Sequence, residues 1–484
     1  MPPLGLSRHL SEALASSLSP ISMQQSVLAH FCAGWYLVVV VVCAVGRCRL
    51  TSTHGRPPRS PIPPKVLPLQ SLPFVSILRP IKGDDVNLEL CLSSACLLDY
   101  PKDRFEVLLC IASLNDPALP AIEAVIQRFP DINIRLFDVE EDVGPNPKIR
   151  NLSRAYREAR GDIVWILDCN VWVPPGILKR SVTLLEGIDG DAGYKLVHHL
   201  PICVDTTPVS SGSQLSDSLA YFGGRLEENF MSSSHAKFYT AINTISVAPC
   251  LVGKSNMFRR SHLAEVTHQT LGDGLQAFSE HICEDQMIGD RLWWNPVQDE
   301  LSKTRKWKRH GLGQDVVFQP IDNMSLHEYL ARRTRWIRVR KYAVLLATLV
   351  EPMTESILCS LMGAYSATTL PALASFVGNS WTSFWAVWGC SMVWWAVSDR
   401  LLFNALHSYP TTPVDSKAPE FIVRRRGRGF GAWLAQWIGR EIFAPVVWLW
   451  AMYPGYVNWR GGLYRVRWKD LKVDEIRPDA TKND

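Results

Sequence analysis

Polar and apolar positions divide the chain into stretches of different period. Residues 27–46 carry no formal charge and include the run VVVVVCAV, long enough to cross a bilayer as a helix. From 73 to 324 the pattern changes to short apolar runs separated by amphipathic stretches. PFVSILRPI, FEVLLCIAS, INIRLFDV and DIVWILD read as strands, with helices expected over 87–98, 118–129 and 149–159. Strands and helices alternating at this spacing predict an α/β domain, its mostly parallel sheet flanked by helices. Apolar runs resume at 342, and segments 342–374, 384–406 and 433–453 are candidates to span a membrane. Glu351 and Glu355, Asp399 with Arg400, and Arg440 with Glu441 interrupt them.

The segments between are punctuated differently. Residues 1–26 are Ser-rich and aperiodic and are expected to be poorly ordered; 47–72 hold a Pro-rich stretch that reads as a stiff linker. Residues 205–240, rich in Ser and Gly, suggest a loop with a short helix that could cover a site as a lid. Residues 293–318 look irregular and contain the basic run KTRKWKRH. Over 325–341, Ser325 and Glu328 form a capping-box start, and Tyr329, Trp336 and Ile337 interleave with Arg332, Arg333, Arg335, Arg338, Arg340 and Lys341. That mixture predicts a helix lying on a membrane surface, cations toward lipid phosphate. C-terminal membrane helices over 342–456 and a basic tail over 457–484 complete the layout.

Composition adds orientation. The net charge is +5, with cations concentrated beside apolar segments, which points to a membrane surface and away from nucleic acid. Arg47, Arg49, Arg56, Arg59 and Lys65 follow the first span, so the globular part is expected in the cytosol. Twelve cysteines include no C-x-x-C pair, which argues against a zinc ribbon or a disulfide scaffold and fits a reducing compartment.

Candidate chemistry follows the strands. Asp116 and Asp168 each stand after a strand end, where ligands bind on open parallel sheets. A third acidic site, Cys283-Glu284-Asp285, comes later, and Arg332-x-x-Arg335-Trp336 follows it. A lone strand-end Asp is usually a turn former; four such elements in this order on an α/β pattern are far more specific.

In these elements, and in the blocks LRPIKGDDVNL, VGPNPKIRNL, IVWILDCNVWV, CEDQMI and WRGGLYRVRW, the chain resembles the ceramide glucosyltransferases. These are inverting, membrane-bound glycosyltransferases of GT-A fold. The resemblance implies transfer of glucose from UDP-glucose to the primary hydroxyl of ceramide at a membrane, in the Golgi. It implies that Asp116 holds the nucleotide, that Asp168 holds a divalent cation (Mg2+ or Mn2+) on the diphosphate, and that Asp285 is the general base. Arg332 and Arg335 would neutralise the departing UDP and Trp336 would pack on sugar or acceptor. Lys148 is a candidate donor-phosphate contact; the resemblance implies acceptor, donor or inhibitor response for His235 and Cys250. One departure stands out: Asp168-Cys169-Asn170 lacks the second acid of a D-x-D. The alternatives are a polyprenyl-phosphate or polysaccharide glycosyltransferase of the same fold, and a non-catalytic membrane scaffold that binds nucleotide sugar or lipid.

Overall fold

In a computed structural model, the protein is described over residues 22–54, 72–187, 192–208, 220–408, 418–423, 429–453, 455–459, 462–467 and 471–476. Of the stretch 1–26 expected to be poorly ordered, 1–21 lie outside these residues, as do 55–71 of the expected linker and the basic residues 424–428; 23–26 and 47–54 are corrected, since both belong to the first helix. Strands β1 (Val75–Pro80), β2 (Phe105–Cys110), β3 (Ile134–Phe137) and β4 (Ile163–Leu167) form where the apolar runs predicted them. They pair in parallel, Val75 opposite Phe105 on one side and Ile163 on the other. A strand covered on both faces must be apolar throughout, which is why β2 and β4 read so clearly. Alternate residues of the pleat feed the two halves of the core: Ile77, Val107, Leu109 and Trp165 on one face, Leu78, Leu108, Val164 and Ile166 on the other.

Three further strands complete a seven-stranded sheet of order β3-β2-β1-β4-β6-β5-β7: β5 (Tyr194–Asp205), β6 (Ser255–Arg259) and β7 (Lys308–Ile321). Strand β6 runs antiparallel to both neighbours, while β5 and β7 pair in parallel. The irregular stretch expected at 293–318 is therefore corrected: its second half is a 14-residue strand, buried from Val316 onward.

The first helices match expectation closely: α1 (Met23–His54), α2 (Leu88–Ser94), α3 (Leu119–Arg128) and α4 (Pro147–Glu158). Asn146 caps α4, its side-chain oxygen accepting from the Lys148 and Ile149 amides at 2.8 and 3.1 Å, with Pro147 at the first helical position. The expected lid at 205–240 is also corrected. Residues 209–219 lie outside the description, but α5 (Phe222–Met231) and α6 (Ser234–Ile245) are helices whose polar residues Glu227, Glu228, Asn229 and Ser234 are buried.

The chain divides into two compact units, Met1–Ala44 with Val350–Arg400, and Val45–Leu349 with Leu401–Asp484. Within the first, Trp35 donates to the Met353 carbonyl at 2.9 Å, and Tyr36 and Ser391 hydroxyls are 2.9 Å apart. The second holds the sheet together with α7 (Glu284–Trp294), α8 (Leu326–Ala343) and α9 (Phe430–Met452). Ile337 of α8 is buried with Val447 and Ala451 of α9. Residues 457–476, within the expected basic tail, include strands β8 (Val457–Trp459), β9 (Gly462–Val466) and β10 (Val473–Glu475). Val473 N–H donates to the Glu280 carbonyl at 2.9 Å, which ties this small sheet to the turn before α7.

Two membrane-related expectations change. Among the described residues, Met23–His54 is long and apolar enough to cross a membrane; within 342–374 the same length and apolarity are reached only by a pair of helices, Leu345–Thr354 and Ser356–Thr369, bent by 69° at the break. Pro352 and the extended backbone at Glu355 break it. On α8, several cations expected to face lipid are held by protein. Arg338 donates to the Trp450 and Tyr456 carbonyls at 3.1 and 2.8 Å and Lys341 to that of Ala451 at 2.9 Å, satisfying the open end of α9. The opposite side of α9 leaves an apolar stripe exposed: Ile438, Ile442, Val446, Leu449 and Trp450.

Candidate active site

Strands β4 and β6 place two polar groups side by side at one sheet end. Asp168 follows β4, Lys254 precedes the antiparallel β6, and the Asp168 amide donates to the Lys254 carbonyl at 3.1 Å. Lys254 Nζ then reaches Asp168 Oδ2 at 3.0 Å and Asn170 Oδ1 at 3.1 Å. From the first turn of α4, Lys148 Nζ contacts Asp168 Oδ1 and Glu284 Oε1, each at 3.0 Å, and the Gly253 carbonyl at 3.2 Å. Burial disfavours the Asp168 charge, but Lys148 and Lys254 outweigh it and hold the carboxyl well below the usual carboxylate range. Burial likewise opposes the Lys148 charge, and Asp168, Glu284 and Asp285 outweigh it and raise its pKa.

Glu284 and Asp285 open α7, where acids are favoured by the helix dipole. Glu284 is held by Lys148 and by the Asn146 amide, 3.2 Å from its Oε2. At Asp285, burial first and then the Glu284 charge push the pKa up to about 7, against the pull of Lys148. A carboxyl tuned there can take a proton near neutral pH. Gly253 makes room for it; a Cβ at that position would lie 3.2 Å from both Asp285 Oδ2 and Lys148 Nζ.

The other expected residues arrange around this core to different degrees. Asp116 accepts from the Gly83 amide at 2.9 Å and from Ala118 at 2.9 Å, which staples the loop after β1 to the turn after β2. The same loop carries Asp85, whose Oδ2 lies 3.3 Å from Cys169 Sγ, so one loop links the Asp116 and Asp168 turns. Arg332 donates from Nε to Glu227 Oε1 at 2.8 Å and from Nη2 to Gln319 Oε1 at 3.2 Å. Trp336 stacks near Arg332, 5.0 Å from its guanidinium, and 6.3 Å from the His235 ring. Arg335 is half-buried on α8. His235 stacks on Tyr239 at 5.4 Å; burial, then Arg333 and Arg340, lower its pKa to about 3, so it stays neutral. Cys250 is half-buried, and burial raises its thiol to about 11, which makes it a poor nucleophile.

Asp168, Lys148 and the Glu284–Asp285 pair thus meet in one cluster; Arg332 and Trp336 belong to a second, around Glu227 and His235. Lys254, Asn146, Gly253 and Glu227 were not anticipated. For Lys254 the linear pattern carries no signal, since its place beside Asp168 comes from the antiparallel pairing of β4 with β6. Among the described residues no group of three or more His, Cys, Asp or Glu side chains is placed to hold a metal ion. At Asp168 the surroundings do not fit one: both carboxylate oxygens accept from ammonium groups, and the amide oxygen of Asn170 accepts from the same Lys254.

The family model described as Glycosyl transferase family 21 matches residues 35–472. A protein of Pyricularia oryzae named "Ceramide glucosyltransferase" is 42% identical over 94% of this chain and 97% of its own length. One of the same name from Gibberella zeae is 40% identical over 93% of each chain, and one from Komagataella phaffii is 34% identical over 91% of this chain and 90% of its own.

Proposed function

From its membership of glycosyl transferase family 21, to which the chain belongs, we propose that this protein is a ceramide glucosyltransferase. It transfers glucose from UDP-glucose to the primary hydroxyl of ceramide with inversion. The observation that carries the mechanism is the Asp285 carboxyl, raised to about 7 beside a cluster of two lysines at the end of β4.

In this reading Asp285 accepts the proton of the acceptor hydroxyl as its oxygen attacks the anomeric carbon from the face opposite the leaving UDP. Attack from that face converts an α-linked donor into a β-linked product. Glu284 keeps Asp285 basic and Lys148 fixes both acids relative to Asp168. Asp116 positions the nucleotide through the loop it staples, and Arg332, Arg335 and Trp336 line the side where the leaving group and acceptor meet. The divalent cation expected at Asp168 has no step here, because two ammonium groups already occupy that carboxylate.

The acceptor keeps its alkyl chains in a bilayer, since each buried CH₂ is worth about 0.8 kcal/mol. We place the protein at an internal membrane, by resemblance the Golgi, with the catalytic unit toward the cytosol. The apolar helix Met23–His54 and the exposed stripe on α9 support lipid contact.

The test is transfer from radiolabelled UDP-glucose to ceramide in membranes expressing this chain, with UDP-galactose and a polyprenyl phosphate as controls. The expected product is β-glucosylceramide, lost in Asp285→Asn. A labelled polyprenyl product or polymer would overturn the acceptor, and no product from any acceptor would favour a non-catalytic scaffold.

A further inference from the structure

The two lysines on Asp168 are not equivalent. An ammonium group has three hydrogens. Lys148 has three acceptors, Asp168 Oδ1, Glu284 Oε1 and the Gly253 carbonyl, at 3.0, 3.0 and 3.2 Å. Its donors are all engaged inside the protein. Lys254 has two, Asp168 Oδ2 and Asn170 Oδ1, so one hydrogen remains for a ligand. Its side chain is 11% exposed and Asp168 is 22% exposed, so both remain accessible at the sheet end.

The residues flanking Lys254 explain what such a lysine is for. The position two after Asp168, where a second carboxylate would help hold a divalent cation, is Asn170. Its neutral amide oxygen orients the Lys254 ammonium without adding negative charge. Asp168 itself already accepts from two ammonium groups, one on each carboxylate oxygen. The arrangement binds an ammonium where a metal would otherwise sit. A lysine held in this way is a positioned point charge, the form in which lysine binds phosphate.

We infer that Lys254 receives the diphosphate of the nucleotide donor and takes the place of a divalent cation at Asp168, while Lys148 serves to position the acids. This rests on the donor reading proposed above. Lys254 keeps its contact with Asp168 and gives its remaining hydrogen to a phosphate oxygen; no bond is made or broken.

The experiment is calorimetric titration of the detergent-purified full chain with UDP, in EDTA and in Mg2+ or Mn2+. Wild-type protein is expected to bind UDP equally, within about twofold, in all three. Lys254→Gln is expected to lose about 10- to 100-fold, the scale of one hydrogen bond to a charged group, and metal should not restore it. Lys254→Arg should recover part of the loss, with thermal unfolding as the folding control. Binding abolished by EDTA and restored by metal would overturn the inference and keep the donor reading. So would wild-type affinity in a folded Lys254→Gln variant. If that variant fails to fold, the EDTA comparison on wild type still decides. Failure of wild type to bind UDP in any condition would overturn the donor reading itself.

Discussion

Glu227 Oε1 accepts a hydrogen bond from Arg332 Nε at 2.8 Å, and Glu227 is fully buried on α5. Burial disfavours the Arg332 charge, but Glu227 outweighs it and keeps the guanidinium firmly protonated. Removing one partner of such a pair strands the other. We expect Glu227→Ala to cost about 3–5 kcal/mol in stability and to lower kcat. Glu227→Gln, which retains an acceptor, should keep most of the stability while still lowering kcat. Thermal unfolding and initial rates on the two variants test this; an Ala variant with wild-type unfolding would show that the pair does not hold Arg332.

The proton affinity of Asp285 predicts the pH profile. A base with a pKa of about 7 loses activity as pH falls through that value, so kcat/KM should rise on an acid limb near 7. Because the Glu284 charge helps to raise Asp285, Glu284→Gln should move that limb to lower pH. A limb that does not move would mean that another group titrates.

The same shift has a consequence for stability. The carboxyl is raised in the folded chain from an ordinary value of 3.8, so folding favours its protonated form. Stability therefore falls as pH rises from about 4 to about 7 and stays at the lower level above that. Asp285→Asn removes this penalty. It should unfold at a higher temperature than wild type at pH 8, with the difference shrinking toward pH 4, while transfer drops by about 10²- to 10⁴-fold.

Gly253 should tolerate nothing larger without a kinetic effect. A Cβ there would lie 3.2 Å from Asp285 Oδ2 and Lys148 Nζ, so both must shift by tenths of an ångström. We expect Gly253→Ala to fold and to lose about 10-fold to 10²-fold in kcat, the scale for a misplaced reacting group. Circular dichroism and kinetics separate the two effects.

A different glycine limits the framework. At Gly223 a Cβ would lie 2.0 Å from the Ser325 carbonyl oxygen, a backbone atom that cannot swing aside. Gly223→Ala should destabilise by about 1–3 kcal/mol or more and disturb the start of α8, which carries Arg332 and Trp336. An unchanged melting temperature would contradict this contact.

How far the sequence could be read depended on where polar residues lie. Strands β1 to β4 were legible because both faces are covered and their residues are apolar throughout. Strand β5 hides Lys195, His198 and His199 in buried positions, and β7 begins with Lys308, Arg309 and His310, so neither showed an apolar run. Helices α5 and α6 read as a loop with one short helix for the same reason, since Glu227, Glu228, Asn229 and Ser234 are buried there against the usual preference. Asp168 and Asp285 could be found from strand ends and order. Lys254 could not, because its role comes from an antiparallel neighbour, and strand order is invisible in a linear pattern.

The turn that leads into Asp285 is finished from far away. His281 Nδ1 lies 3.1 Å from the carbonyl of Leu471, 190 positions later in the chain, and Val473 hydrogen-bonds to Glu280. A ribosome delivers the acid long before it delivers the strand that fixes the preceding turn. Closing so long a loop is slow relative to local folding. The growing chain would thus complete its sheet with this turn held first from Asn146, which donates to the Ser279 and His281 carbonyls, and its C-terminal fastening would come as one of the final steps of maturation.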